Sequence, residues 1–170
     1  MKQTLMAMTL LALAPIAGAQ QPAGKSSAES QFDRLKELAG DWQATAVENG
    51  KEMTGLLTFR VASGGSVLVA DLAPGTAHEM ITMFHRDGDD LLATHYCLTG
   101  NQPRLRAGAG ADPGVISFAF QDATNLPNQA APHMDGVRIT MIDANHHTEE
   151  WNVVANGQTM IRKFDCRRKQ

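Results

Sequence analysis

Residues 40–61, GDWQATAVENGKEMTGLLTFRV, decide the fold. After Asn49-Gly50, Met53, Leu57, Phe59 and Val61 fall on one face of an extended chain, and Thr54, Thr58 and Arg60 fall on the other. Side chains alternate sides along a strand, and Asn-Gly is the strongest two-residue hairpin signal. The stretch therefore reads as two antiparallel strands with one face buried and one wet.

The rhythm continues to the C-terminus. Strand-like runs fall at about 41–48, 52–61, 66–72, 78–86, 90–98, 102–108, 114–121, 136–143, 147–154 and 158–167. Short turn signals separate them: Ser63-Gly64-Gly65, Pro74-Gly75, Asp87-Gly88-Asp89, Pro113-Gly114 and Asn156-Gly157. Val137, Ile139 and Met141 oppose Arg138 and Thr140, and Ile116, Phe118 and Phe120 oppose Ser117. About ten such strands with no crossover helix predict an all-β fold, a closed antiparallel up-and-down barrel, because closure removes the exposed edges. Residues 122–135 break the rhythm and read as a long loop or lid. Upstream of Gly40 the period is helical: Phe32, Leu35 and Leu38 share a face, Ser30 with Asp33 offers a capping box, and Gly40 can end the helix.

The N-terminus reads as an address. Lys2 precedes an apolar run from Leu5 to Ile16, and Ala17-Gly18-Ala19 is a small-x-small cleavage signal. Residues 1–19 are expected to be a signal peptide, 20–29 a polar flexible leader, 30–167 one barrel domain and 168–170 a basic tail. The run is shorter than the ~20 apolar residues of a spanning helix, so no membrane anchor is expected in the mature form. Export predicts a periplasmic or secreted protein. A net charge of −3 argues against a nucleic-acid partner. Of the 2 cysteines, Cys97 lies on the fifth strand and Cys166 on the tenth, half a circumference apart in such a meander. A disulfide needs Cα atoms within about 7 Å, so the pair is expected to be unbridged.

A short helix, then Gly40-Asp41-Trp42 opening the first strand of a meander, resembles the calycin group, which includes lipocalins, fatty-acid-binding proteins and nitrobindin-like barrels. The G-x-W signature matches at Gly40 and Trp42. The resemblance implies a barrel-closing contact in which a basic residue of the last strand packs over Trp42, and Arg162 is the candidate. The stretches THYC (94–97), GNQPR (100–104) and DATN (122–125) are also similar to an uncharacterised family of exported bacterial barrels. The glycine-rich continuation of nitrobindin-like haem proteins is absent, with Gln43-Ala44-Thr45-Ala46 in its place, which argues against haem.

Several polar groups sit inside strand runs where a filled barrel would place apolar ones. His78 and Met80 share a face, opposite Glu79, Met83 and His85, and exterior positions are the plainer reading. His95 and Cys97 share a face, opposite Tyr96; alternation leaves open which side looks inward. An inward pair could bind a soft metal or act as nucleophile and base; a core histidine beside a buried thiol is the plainer reading. Asn101, Gln102 and Arg104 follow the Gly100 turn, and an inward Arg104 would fork onto a carboxylate or phosphate. Within 122–135, His133 is the lid candidate for a ligand contact. His147, Glu149 and Trp151 share a face, with His146 and Glu150 on the other. The sequence carries no HExxH, CxxC, Walker loop or GxSxG.

The leading expectation is a binding barrel whose mixed apolar and polar cavity holds a small molecule with an anionic or hydrogen-bonding end. His95, Tyr96, Arg104, His133 and Trp151, with Glu150, Asn101 and Gln102, are the candidate contacts. One alternative is a hydrolase or isomerase using His95 with Cys97 or Glu150, which fails if the partners face opposite sides of the wall. Another is a haem or metal site drawn from His78, Met80, His95 and His133. The cofactor is left unknown.

Overall fold

The computed structural model describes residues 25–48, 50–110 and 112–170. The expected signal peptide, leader residues 20–24 and Asn49 of the first hairpin lie outside the described residues. One helix, α1 (Ser27–Lys36), precedes ten strands: β1 (Gly40–Glu48), β2 (Lys51–Ala62), β3 (Val67–Leu72), β4 (Met80–Asp87), β5 (Asp90–Tyr96), β6 (Gln102–Ala107), β7 (Val115–Thr124), β8 (His133–Asp143), β9 (His146–Ala155) and β10 (Gln158–Arg168). Each strand pairs antiparallel with its sequence neighbour, and β1 pairs with β10 to close the barrel. The connections follow the turn chemistry. Asn156 and Gly157, at φ 50° and 72°, carry the two positive values that a tight β9–β10 hairpin needs.

The helix starts one turn before the expected cap. Ser26, not Ser30, is the N-cap, and its Oγ accepts the Glu29 N–H at 3.2 Å. Ser26-x-x-Glu29 is the same serine–acid spacing four residues earlier, so residues 26–29 are helix start rather than leader. Ser30 is inside, its N–H donating to Ser26 O. The helix ends at Lys36, and Gly40 instead opens β1.

Alternation decides what packs. Trp42 and Ala44 of β1, Leu57 and Phe59 of β2, Leu68 and Ala70 of β3, and Leu91 and Ala93 of β5 all point into the barrel and are buried. Phe32, Leu35 and Leu38 of the α1 region join the same core, so this helical segment plugs one end. Trp42, fully buried, donates its indole N–H to Leu38 O at 2.7 Å.

The barrel-closing cation differs from expectation. Arg168, not Arg162, packs over Trp42, with its guanidinium carbon 4.2 Å from the ring centroid. Its nitrogens donate to Ala39 O, Glu37 O and Ala144 O at 2.7, 2.9 and 2.9 Å. Arg168 is therefore part of the barrel rather than a loose tail. Arg162 lies towards the other end of β10 and pairs with Glu48 at 2.8 Å. Trp42 pairs directly with Arg168 across the β1–β10 seam, a register that β10 alone does not reveal.

The 122–135 lid is also revised. β7 runs on to Thr124 and β8 begins at His133, leaving a connection of 125–132. That connection is tied down: Asn101 Nδ2 donates to Pro132 O at 2.8 Å and Asn125 Nδ2 to Gln102 Oε1 at 3.2 Å. Irregular pairing at Arg104/Leu105 and Met134/Gly136 re-aims side chains within both longer strands. Both cysteines are free thiols, Cys166 in the core and Cys97 just past β5.

Candidate functional site

Ten strands enclose more width than eight, the number that side chains just fill. The half of the barrel next to α1 is packed by Trp42, Phe59, Leu68, Leu105, Ile116 and Ile139. The other half holds a cavity of about 630 Å³, within the usual size of a small-molecule site. Its walls are mostly apolar, with Ala44, Leu57, Ala70 and Phe84 towards the packed half and Met53, Met80 and Phe164 towards the mouth.

Four buried polar side chains belong to this lining: Thr82, His95, Glu149 and Trp151. The alternation of β4 (Met80, Thr82, Phe84), β5 (Leu91, Ala93, His95) and β9 (His147, Glu149, Trp151) turns them inward. Thr82 and His95 are cross-strand partners, with Thr82 Oγ1 2.9 Å from His95 Nδ1. His95 is 3% exposed, and its Nε2 has no hydrogen-bond partner. Burial pushes its pKa down to about 4, against the opposing pull of the Glu149 carboxylate. The imidazole is thus neutral at pH 7. Because the threonine hydroxyl can donate to Nδ1 or accept from it, Nε2 can offer either a proton or a lone pair.

Trp151 links the imidazole to the carboxylate. Its ring centroid lies 5.1 Å from that of His95, and its indole N–H donates to Glu149 Oε2 at 2.7 Å. Glu149 Oε1 lies 3.4 Å from His147 Nε2, but neither His147 nitrogen forms a hydrogen bond. His147 is fixed by packing, edge-on to Trp42 at 4.3 Å and to Phe59 at 5.7 Å between ring centroids. At the mouth, the Arg162 guanidinium holds the Glu48 carboxyl below its ordinary pKa, and the 73–78 segment contributes Ala73, Pro74, Thr76 and His78.

Of the candidate contacts, His95 and Trp151 reach the cavity, and His78 and Met80 of the metal alternative also line it. The other candidate contacts face elsewhere. Tyr96 points outward and is 44% exposed. Arg104 is on the outer face, bonded to Asp122. Glu150 is also outside, 2.5 Å from Lys163, so His95 and Glu150 lie on opposite sides of the wall and that catalytic couple is excluded. Asn101 and Gln102 tie the 125–132 connection to the start of β6. His133 is buried against Phe120, with Nδ1 2.7 Å from Ala131 O, and it does not line the cavity. Cys97 does not line it either. Among the described residues no three His, Cys, Asp or Glu side chains form a metal-binding group, and of His78, Met80, His95 and His133 the last does not line the cavity.

The candidate contacts left out Thr82, Glu149, noted only as sharing a face with Trp151, and the 73–78 segment, of which only His78 was singled out. Signals existed for two of them: Thr82 falls in phase between Met80 and Phe84, and Glu149 shares the face of Trp151. Nothing in the 73–78 sequence marks it as the cavity rim.

No family model matches the chain, and no curated protein matches it. Solved structures do. A protein of unknown function from the DUF3598 family of Nostoc punctiforme PCC 73102 superposes with a TM-score of 0.52 at 10% identity, over 79% of this chain and 49% of its own. Rv2717c from M. tuberculosis superposes with a TM-score of 0.53 at 15% identity, over 82% of this chain and 98% of its own. The chain thus spans about half the length of the DUF3598 protein. At these identities the likeness is one of fold, and this chain is a ten-stranded barrel of the same architecture as both.

Proposed function

We propose that this protein is an exported binding barrel for a small, largely apolar molecule that enters the open end and hydrogen-bonds inside the wall. One observation carries the reading: a 630 Å³ apolar cavity lined by an imidazole whose Nε2 is buried without a partner. A buried polar atom left unpaired costs about 1–3 kcal/mol, and a ligand group that pairs with it recovers that cost. The calycin-like layout and the N-terminal address support the reading. A haem fits the lining poorly, because its carboxylates need cations and the lining guanidinium, Arg162, is already held by Glu48.

Native mass spectrometry beside the denatured mass tests it, together with uptake of N-phenyl-1-naphthylamine, an uncharged polarity-sensitive fluorophore. The expected result is saturable uptake that Ala46→Phe, which fills the cavity, weakens about tenfold or more, since even a well-packed pocket loses this much on losing 1.4 kcal/mol. Uptake equal in wild type and variant, with no retained mass, overturns the reading. Cell fractionation tests export, with the mature N-terminus expected at Gln20.

A further inference from the structure

The cavity's charge balance specifies the occupant more closely. The lining carries three formally charged groups: Glu48, Arg162 and Glu149. Glu48 and Arg162 neutralise each other at the mouth, 2.8 Å apart. Glu149 is different. It is 6% exposed, accepts one hydrogen bond from the neutral Trp151 indole, lies 3.4 Å from His147 Nε2 with no hydrogen bond between them, and has no lysine or arginine partner among the described residues. Beside it, His95 is neutral, with Nε2 unpartnered. A buried carboxylate without a cation is costly, and an incoming cation bonded to it offsets that cost. An incoming carboxylate would meet the same charge in a low-dielectric wall and be repelled.

We infer that the inner wall of the cavity, Glu149 with His95 and Trp151, selects a ligand with an apolar body and a primary ammonium head, and rejects the corresponding carboxylate. The head donates one N–H to Glu149 and a second to the His95 Nε2 lone pair, with the His95 proton on Nδ1 facing Thr82 Oγ1. The Trp151 face offers a cation–π surface to the same charge. The aliphatic body lies against Phe84, Leu57 and Phe164. This places a cation where the outward-facing Arg104 had suggested an anion. It rests on the cavity being a binding site at all.

Decylamine, 1-decanol and decanoate, each displacing N-phenyl-1-naphthylamine at pH 8, distinguish the two ideas. At that pH the alkylamine carries its proton. Decylamine is expected to displace the probe at about tenfold lower concentration than decanoate, with decanol between them, as a charge-assisted hydrogen bond implies. Glu149→Gln is expected to remove most of the amine advantage. Decanoate binding as tightly as decylamine overturns the inference, and so does an amine preference that survives Glu149→Gln. Should Glu149→Gln fail to fold, the wild-type ranking decides alone. Decanol binding without amine preference sinks the inference and leaves the binding barrel standing; failure of the fluorophore and all three probes to bind sinks both.

Discussion

His95 Nε2 is buried in the wall of a hollow barrel, and that placement links ligand chemistry to stability. The imidazole refuses a proton until about pH 4 in the folded chain, whereas in the unfolded chain it takes one near pH 6.5. The folded pKa is depressed, so the unfolded chain binds more protons between these values. His95 therefore contributes stability above pH 6.5 that is lost as pH falls through 4. The loss amounts to about 2 kcal/mol by pH 5. Urea unfolding at pH 7 and pH 5 measures it. His95→Gln should lose less stability than wild type between the two, and an unchanged difference would assign the acid sensitivity elsewhere. The neighbouring Tyr96 shows how little residue type alone decides: it carries a hydroxyl and an aromatic ring, yet alternation turns it outward. Sequence periodicity placed His95 and Tyr96 on opposite faces correctly but left open which face is inside, because Leu91 and Ala93 on one face and Leu92 and Leu98 on the other are equally apolar.

At the scale of the element, a bulge accounts for the revised lid. β8 holds Asp135 as an extra residue between the Met134↔Val153 and Gly136↔Asn152 pairs. The irregularity lets β8 begin at His133, where simple alternation read a lid, and turns Met134 to the cavity while His133 is buried against Phe120. Gly136 makes this possible. A Cβ there would lie 2.7 Å from Phe118 O of the adjacent β7, closer than side-chain carbons approach a backbone oxygen. Gly136→Ala should therefore cost about 1–3 kcal/mol by forcing β7 and β8 apart. Thermal melts check this; a variant as stable as wild type would mean that the strands separate freely. On β7 a matching irregularity pairs Arg104 with Asp122 and Leu105 with Phe120, skipping Gln121. Arg104 itself faces outward through the plain alternation of β6, between the buried Pro103 and Leu105, and the β7 irregularity brings Asp122 opposite it. A strand's existence is legible from its period, but an extra residue in it is not, because the cue lies in the partner strand.

For the whole molecule, closure is the decisive event. β1 and β10 come from opposite ends of the barrel sequence, and the seam between them is locked by Arg168. Its guanidinium bonds three carbonyls, two just after α1 and one in the β8–β9 turn, while covering Trp42. Arg162, on the same strand, holds one exposed ion pair at the mouth. Arg168→Ala should thus cost about 2 kcal/mol through lost charge-assisted bonds and stacking, and Arg162→Ala no more than about 0.5 kcal/mol, as exposed pairs do. Parallel urea titrations decide it: equal losses would place the closing contact elsewhere.

What the sequence determined by itself is the part that repeats locally. Alternation within each run, with Asn-Gly, Asp-Gly and Pro-Gly turns between runs, is enough to specify ten antiparallel strands, and a helix before Gly40-x-Trp42 completes the outline. These signals act over a few residues and survive without knowledge of any partner strand. Closure decided the rest: which arginine covers Trp42, which face of β5 is inside, that Glu149 rather than Glu150 meets the cavity, and that 73–78 rather than the 125–132 connection borders it. Each depends on register summed around ten strands. Slipping a strand by one residue exchanges its inner and outer faces, so a site assembled from β4, β5 and β9 exists only once the barrel has closed.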